Sequence, residues 1–193
     1  MTAAGAATTL LARARAWEPP RWLARAVARA RASLALWGTE HGARCAATGA
    51  LSVRGQGLIH VGHRVQFLGG LVPTTLTAAA GGVLNVGDDC HFNYGVTLRA
   101  QEAVTIGNRC MFGSHVVIAD DAGGAVAPIR LGDDVWVAHG ARIAPGVTVG
   151  DGAVISAGSV VTSDVPARSL ALGRPARTMS LDLAVSALTK EPT

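Results

Sequence analysis

The chain has 193 residues, of which 49% are hydrophobic but only 4% aromatic, with 24 glycines and 16% charged residues. That balance excludes a core built around a few large rings. It points to a narrow interior of small and β-branched side chains with glycine at many turns. The formal charge of +4 belongs to the N-terminal arm, where Arg13, Arg15, Arg21, Arg25, Arg29 and Arg31 lie. No basic groove interleaved with aromatics follows in the body, so nucleic acid is not expected as a partner.

Three cysteines without CxxC or metal-ligand spacing fit a reducing compartment. No uninterrupted 18-residue apolar run occurs, and arginines interrupt the stretch where a signal peptide would need its apolar core. The expected location is therefore cytoplasmic.

Three zones succeed one another: a helical arm over 1–45, a repeat domain over 46–165 and a tail over 166–193 that packs back on it. In the arm, Pro19 and Pro20 can open a helix. Leu23, Val27, Ala30, Leu34 and Trp37 then recur at helical steps as one apolar stripe ending near Gly38. Such a basic amphipathic helix can pack on the body or make a peripheral contact with an anionic membrane, and packing is the preferred reading.

The middle of the chain keeps a different period. Leu131, Val137, Ile143, Val149, Ile155 and Val161 stand six apart without a slip, and Val86, Phe92 and Leu98, then Ile106, Phe112 and Ile118, keep the same step. A second small or apolar residue sits two places before each, and Gly, Ala or Ser often follows. Neither one helix nor one long strand has a period of six. Short strands joined by tight turns do, with alternate side chains pointing inward and the Gly, Asn and Asp of GDD, GNR and GDG taking the turn conformations. Three such units make a triangular coil, and stacked coils bury one aliphatic column, a parallel β-helix.

Two breaks interrupt the period. A two-residue bulge falls at Ala100–Glu102, and seven extra residues fall in the stretch DDAGGAVA from Asp120 to Ala127. Loops that leave a regular solenoid usually lie on its binding side. The stretch from Leu68 to Gly82 reads either as another excursion or as an irregular coil.

The run PIRLGDDVWVAHGARIAPGVTVGDGAVISAGSVVTSDVPARSLALGRPAR, residues 128–177, resembles the hexapeptide-repeat acyltransferases, in particular the maltose/galactoside and polysaccharide O-acetyltransferase branch. With the weaker coils the resemblance covers about residues 61–177. It implies an all-β, left-handed parallel β-helix, a homotrimer, acetyl-CoA as acyl donor with no metal, and active sites between subunits. The acceptor would be a hydroxyl or amine of a small molecule such as a sugar, a glycan precursor or a secondary metabolite. Handedness comes from the resemblance alone, since parallel crossovers are usually right-handed.

Acyl transfer needs a base for the acceptor proton and donors for the developing oxyanion. The resembling enzymes take their base from a His in the loop after the coil, but here that loop reads IADDAGGAVAPI, without His. His115 and His139 follow Phe112 and Val137 at turn positions on successive coils. They should share one edge, offset by one residue and roughly 5–8 Å apart if coils stack at strand spacing. Either can be the base, Asp120 or Asp121 can act directly or orient one of them, an amine acceptor would need little help, or both imidazoles are solvated turn residues.

The resemblance further assigns Asn93 and Tyr94 to the acceptor and Trp136 to the acyl site. It places the backbone amides of Ala138 and Ala157 along the pantetheine arm and Arg177 near the CoA phosphates, with Arg168 and Arg174 as further phosphate candidates. Ser163 stands where the family carries a Lys. Cys90 and Cys110 fall on one inward rung as stacked buried thiols. Two other functions compete. A γ-carbonic-anhydrase-like metalloenzyme is suggested by His91, His115 and His139, spaced 24 apart, although that spacing does not match the coil and His91 should point outward. A scaffold that has lost its base is suggested by the His-free loop.

Overall fold

The computed structural model describes residues 20–181. Arg13 and Arg15, and the tail beyond Leu181, lie outside the described residues. The chain winds through three parallel sheets in turn. The first holds Glu40–His41, Leu58–Val61, Val83–Val86, Ala103–Ile106, Ile129–Leu131 and Thr148–Val149. The second begins at Ala46–Ala47 and the third at Leu51–Gly55, and each visit to all three completes a coil. The result is a parallel β-helix of about six turns that fits the left-handed form.

The six-residue columns are the shaft. Val86, Ile106, Leu131 and Val149 are register partners in the first sheet. Phe92, Phe112, Val137 and Ile155 pair in the second, and Leu76, Leu98, Ile118, Ile143 and Val161 in the third. All are buried. Phe67, Phe92 and Phe112 stack, with centroids 5.2 and 4.6 Å apart, within the range for offset aromatic pairs. The thiols of Cys45, Cys90 and Cys110 point inward and each reaches the carbonyl of the coil above at 3.2 Å, those of Gly62, Gly107 and Gly132 respectively. Burial pushes the Cys45 thiol up, and contact with Cys90 together with burial pushes up that of Cys110, so these two are packing groups rather than nucleophiles.

The corner between the first and second sheets explains the Gly and Asx punctuation. Asp88, Asn108, Asp133 and Asp151 each accept, through Oδ1, the backbone N–H of the coil below at 2.8–2.9 Å. The oxygen occupies the space over a glycine: a β-carbon on Gly132 would come within 2.0 Å of Asp151 Oδ1. The next position, in the left-handed backbone region, holds Arg64, Asp89, Arg109 and Asp134. They pair as Arg64–Asp89 at 2.6 Å and Arg109–Asp134 at 2.8 Å.

Three expectations change. The helix is Arg21–Ala35, capped by Leu36 rather than ending near Gly38, and it packs on Ala46–Ala47 and Leu51–Gly55. It buries Ala28, Ala32 and Leu36, not the stripe of large residues: Val27, Leu34 and Trp37 are exposed. Alanine wins because the helix lies close across the first coil, where only a small side chain fits between backbones. The first coil also starts earlier than expected, with Glu40–His41 paired to His60–Val61. Residues 68–82 resolve into an excursion at 68–73 followed by a regular strand, Thr74–Ala78, paired on both sides. At the other end Ser169–Gly173 joins the second sheet beside Val154–Ile155, and Ala176–Ser180 returns antiparallel to it.

The corner carboxylates give a pH signature. The Arg64 guanidinium holds Asp89 below its ordinary value of 3.8, Arg109 does the same for Asp134, and the Asn108 N–H leads in lowering Asp133. A depressed folded-state value means stability that is complete above the ordinary value and lost as pH falls through the folded one. Urea unfolding from about pH 4 down to about pH 2 should therefore show a steeper loss for the wild type than for Arg109→Gln, with the difference shrinking in high salt.

Candidate active site

The corner between the second and third sheets gathers the imidazoles. Because Phe112 pairs with Val137, Ser114 lies opposite His139, and His115 lies opposite Gly140. Ser114 is buried, and its Oγ is 2.7 Å from His139 Nδ1. The His115 and His139 rings meet edge to face at 5.6 Å, inside the range expected from the sequence. Tyr94 continues the row, 5.3 Å from His115 and also edge to face. Its ring lies over Gly70, where a β-carbon would come within 2.2 Å of Tyr94 Cγ. His115 sits in the left-handed region at φ 59°, a conformation that His accepts better than most residues. The row Tyr94–His115–His139 thus forms a ridge along one edge, with both imidazoles exposed and Tyr94 half-buried.

This arrangement has directional chemistry. The Ser114 hydroxyl engages Nδ1 and thereby fixes the ring of His139, while Nε2 makes no hydrogen bond among the described residues. When Nδ1–H donates to Ser114, Nε2 carries the lone pair and can take a proton. Ser114 was not among the residues singled out from the sequence, yet the one-residue offset between the two histidines is the signal that places it there.

Other candidates separate from this ridge. Asp120 is fully buried, and its two carboxylate oxygens accept the N–H groups of Gln101, Glu102 and Ala103 at 2.6–2.8 Å. It closes the bulge at the third corner and is structural rather than a base. Asp121 begins a small hairpin, Asp121–Ala122 against Ala125–Val126, turned by Gly123 and Gly124. Its Oδ1 accepts Arg99 Nε at 2.5 Å. Neither carboxylate reaches the imidazoles within one chain. The Ala138 N–H is committed to the Ile155 carbonyl at 2.9 Å, so it cannot serve pantetheine. Ala157, exposed one coil on, keeps an N–H with no partner among the described residues.

Asn93 is half-buried, and its Oδ1 accepts the Tyr94 N–H at 2.9 Å, which leaves its amide nitrogen for a ligand. Trp136 stands on the outer face of the second sheet between Met111 and Val154, and both Trp136 and Met111 are about half exposed. Arg174 joins the imidazole edge: its Nε donates to the Gly158 carbonyl, and the Gly158 N–H bonds the His139 carbonyl at 2.8 Å. Arg177 is exposed on the returning strand Ala176–Ser180. Arg168 belongs to the Asx corner instead, with its N–H on the Asp151 carbonyl. His91 lies outward on the sheet face opposite Met111, so the three evenly spaced histidines occupy three different rung positions and do not converge.

The comparisons with known proteins agree with the repeat. Residues 128–163 match the bacterial transferase hexapeptide (six repeats), and residues 103–144 match the hexapeptide repeat of succinyl-transferase. The chain is 32% identical over 108 residues to the galactoside O-acetyltransferase of Escherichia coli, covering 50% of this chain and 53% of that one. It is 40% identical over 96 residues to a Schizosaccharomyces pombe protein named as an acetyltransferase, covering 44% and 46% respectively. The chain thus spans about half the length of these curated relatives. A variant of AntD, an N-acyltransferase from Bacillus cereus solved with dTDP-4-amino-4,6-dideoxyglucose and coenzyme A, superposes with a TM-score of 0.66 at 16% identity, over 81% of this chain and 95% of that one. This last likeness is one of fold.

The role of Asp120 is testable. Asp120→Ala should lower unfolding stability by about 1–3 kcal/mol, the cost of orphaning amides packed away from water, as read by urea denaturation. Equal stability would show that the bulge closes without it. Residues 103–163 thus carry the hexapeptide repeats of the bacterial transferase and succinyl-transferase models, on the parallel coils that those repeats build.

Proposed function

We propose that the protein is a CoA-dependent acyltransferase that moves an acetyl group from acetyl-CoA to a hydroxyl or amine of a sugar-like acceptor, with His139 as general base. The observation that carries this reading is the Ser114–His139 contact on an exposed edge, with His115 and Tyr94 beside it. The named activity of the Escherichia coli relative favours a sugar acceptor.

In the reaction, the acceptor O–H or N–H approaches the thioester carbonyl while its proton passes to His139 Nε2. The new bond forms at the acyl carbon, and the oxyanion takes a backbone donor, for which the unpartnered Ala157 N–H is placed one coil away. Collapse breaks the carbon–sulfur bond. The leaving thiolate takes the proton back from the imidazolium, so atoms and charge balance. Arg174 and Arg177 supply guanidinium groups for the CoA phosphates.

A ridge needs a facing wall to become a cleft. The half-exposed Met111 and Trp136 on an adjacent flat face suit a closed cyclic assembly in which a sister chain provides that wall. A homotrimer working in the cytoplasm is the form proposed.

The test is thiol release from acetyl-CoA with a panel of sugars and amino sugars. His139→Ala should lower kcat by a factor on the order of 10²–10⁴, the usual contribution of a general base, with little change in KM for acetyl-CoA. His115→Ala should cost far less. Full activity in His139→Ala would remove it as the base. Absence of both turnover and CoA binding in the wild type would favour the scaffold reading.

A further inference from the structure

The side of the N-terminal helix that meets the body carries more than alanine. Arg25, Ala28, Arg29 and Ala32 stand three and four residues apart and share one side. Ala28 and Ala32 are buried against the first coil, and the two arginines flank them. Together with Arg44, Thr48 and Gln66 of the first two coils, Arg25 and Arg29 line a cavity of about 450 Å³. No Asp or Glu lines it. None of its three guanidinium groups has an ion pair or hydrogen bond among the described residues.

The corner ladder shows why Arg44 is left over. Arg44, Arg64, Asp89, Arg109 and Asp134 occupy the same left-handed corner position on successive coils. Arg64 takes Asp89 and Arg109 takes Asp134. Arg44 then stands at the end of the row with another arginine beside it, where the Arg64 N–H bonds the Ala43 carbonyl at 2.9 Å. The pattern that neutralises Arg64 and Arg109 thus leaves this cation uncompensated, at the place where the helix adds two more. Arg25 and Arg29 are themselves a repulsive pair at four-residue spacing. Neutral donors complete the lining. Thr48 Oγ1 accepts the Gly69 N–H at 2.8 Å, which leaves its hydroxyl proton for a ligand, and Gln66 stands beside Ala46 on the second sheet.

We propose that this cavity is an anion site for the diphosphate group of a small soluble molecule, held by Arg25 and Arg29 from the helix and by Arg44 from the corner. Guanidinium forks match phosphate oxygens two at a time. Three of them in one cavity suit a diphosphate, whereas a single carboxylate would satisfy one fork and leave two. In the second sheet the cavity lies three strands from Met111–Phe112, the strand that leads to His115. The site is therefore independent of the acyl-transfer reading.

Inorganic pyrophosphate should be titrated into the full chain by calorimetry, with orthophosphate and citrate as comparison anions at matched ionic strength. One pyrophosphate per chain is expected, bound more tightly than either comparison anion. Arg25→Gln, Arg29→Gln and Arg44→Gln should each weaken binding about tenfold, the usual worth of one charge-assisted contact, and the triple variant should show none. Arg54→Gln, which removes the same charge from the third sheet, should bind as the wild type does. Pyrophosphate should raise the thermal midpoint of the wild type but not of the triple variant. Without ligand the triple variant should melt no earlier at low salt, since it loses only mutual repulsion. No binding of pyrophosphate by the wild type, a preference for citrate, or equal weakening by Arg54→Gln would overturn the proposal. So would an earlier melt of the ligand-free triple variant, because the arginines would then already have partners within the chain.

Discussion

Every feature of the molecule depends on one constraint: each short strand hydrogen-bonds in parallel to the same strand of the next coil, so residues can change between coils but columns cannot slip. A slip of one residue would turn every inward side chain outward. The aliphatic shaft therefore locks the register, and the register carries side chains at the corners into fixed opposition. His139 meets Ser114 only because Val137 is held under Phe112.

The three corners divide the labour. The first is a ladder of Asp and Asn oxygens capping backbone N–H groups, backed by Arg–Asp pairs whose exposure makes each worth little alone. The third absorbs length, taking both the two-residue bulge and the seven-residue hairpin, and Asp120 ties the two insertions together. The second carries the imidazole ridge. The two insertions read from the sequence thus lie away from the imidazole edge, which carries the separate excursion at 68–73 with Gly70 against Tyr94.

What could be read from the sequence follows from what is periodic. The inward columns, the stacked thiols and the closeness of His115 to His139 all follow from counting in sixes, because burial enforces that period. Non-periodic features stayed hidden. The helix stripe was read as buried because large apolar residues usually are, yet a close approach to the first coil selects Ala28 and Ala32 instead. Asp120 looked like a free carboxylate because nothing in the sequence shows that three amides of the preceding coil converge on it. Ala138 looked available as a donor because its partner, the Ile155 carbonyl, is a consequence of stacking that the family resemblance does not reveal.

The central claim is that acyl transfer takes place at the Ser114–His139 edge. The most direct test is a crystal structure of the assembled protein with bound coenzyme A. The account predicts the CoA sulfur about 3–4 Å from His139 Nε2, the separation of groups poised to react, with the phosphates toward Arg174 and Arg177. A thiol lodged instead beside the Asx ladder, or at the hairpin of Asp121–Val126 and remote from both imidazoles, would contradict it.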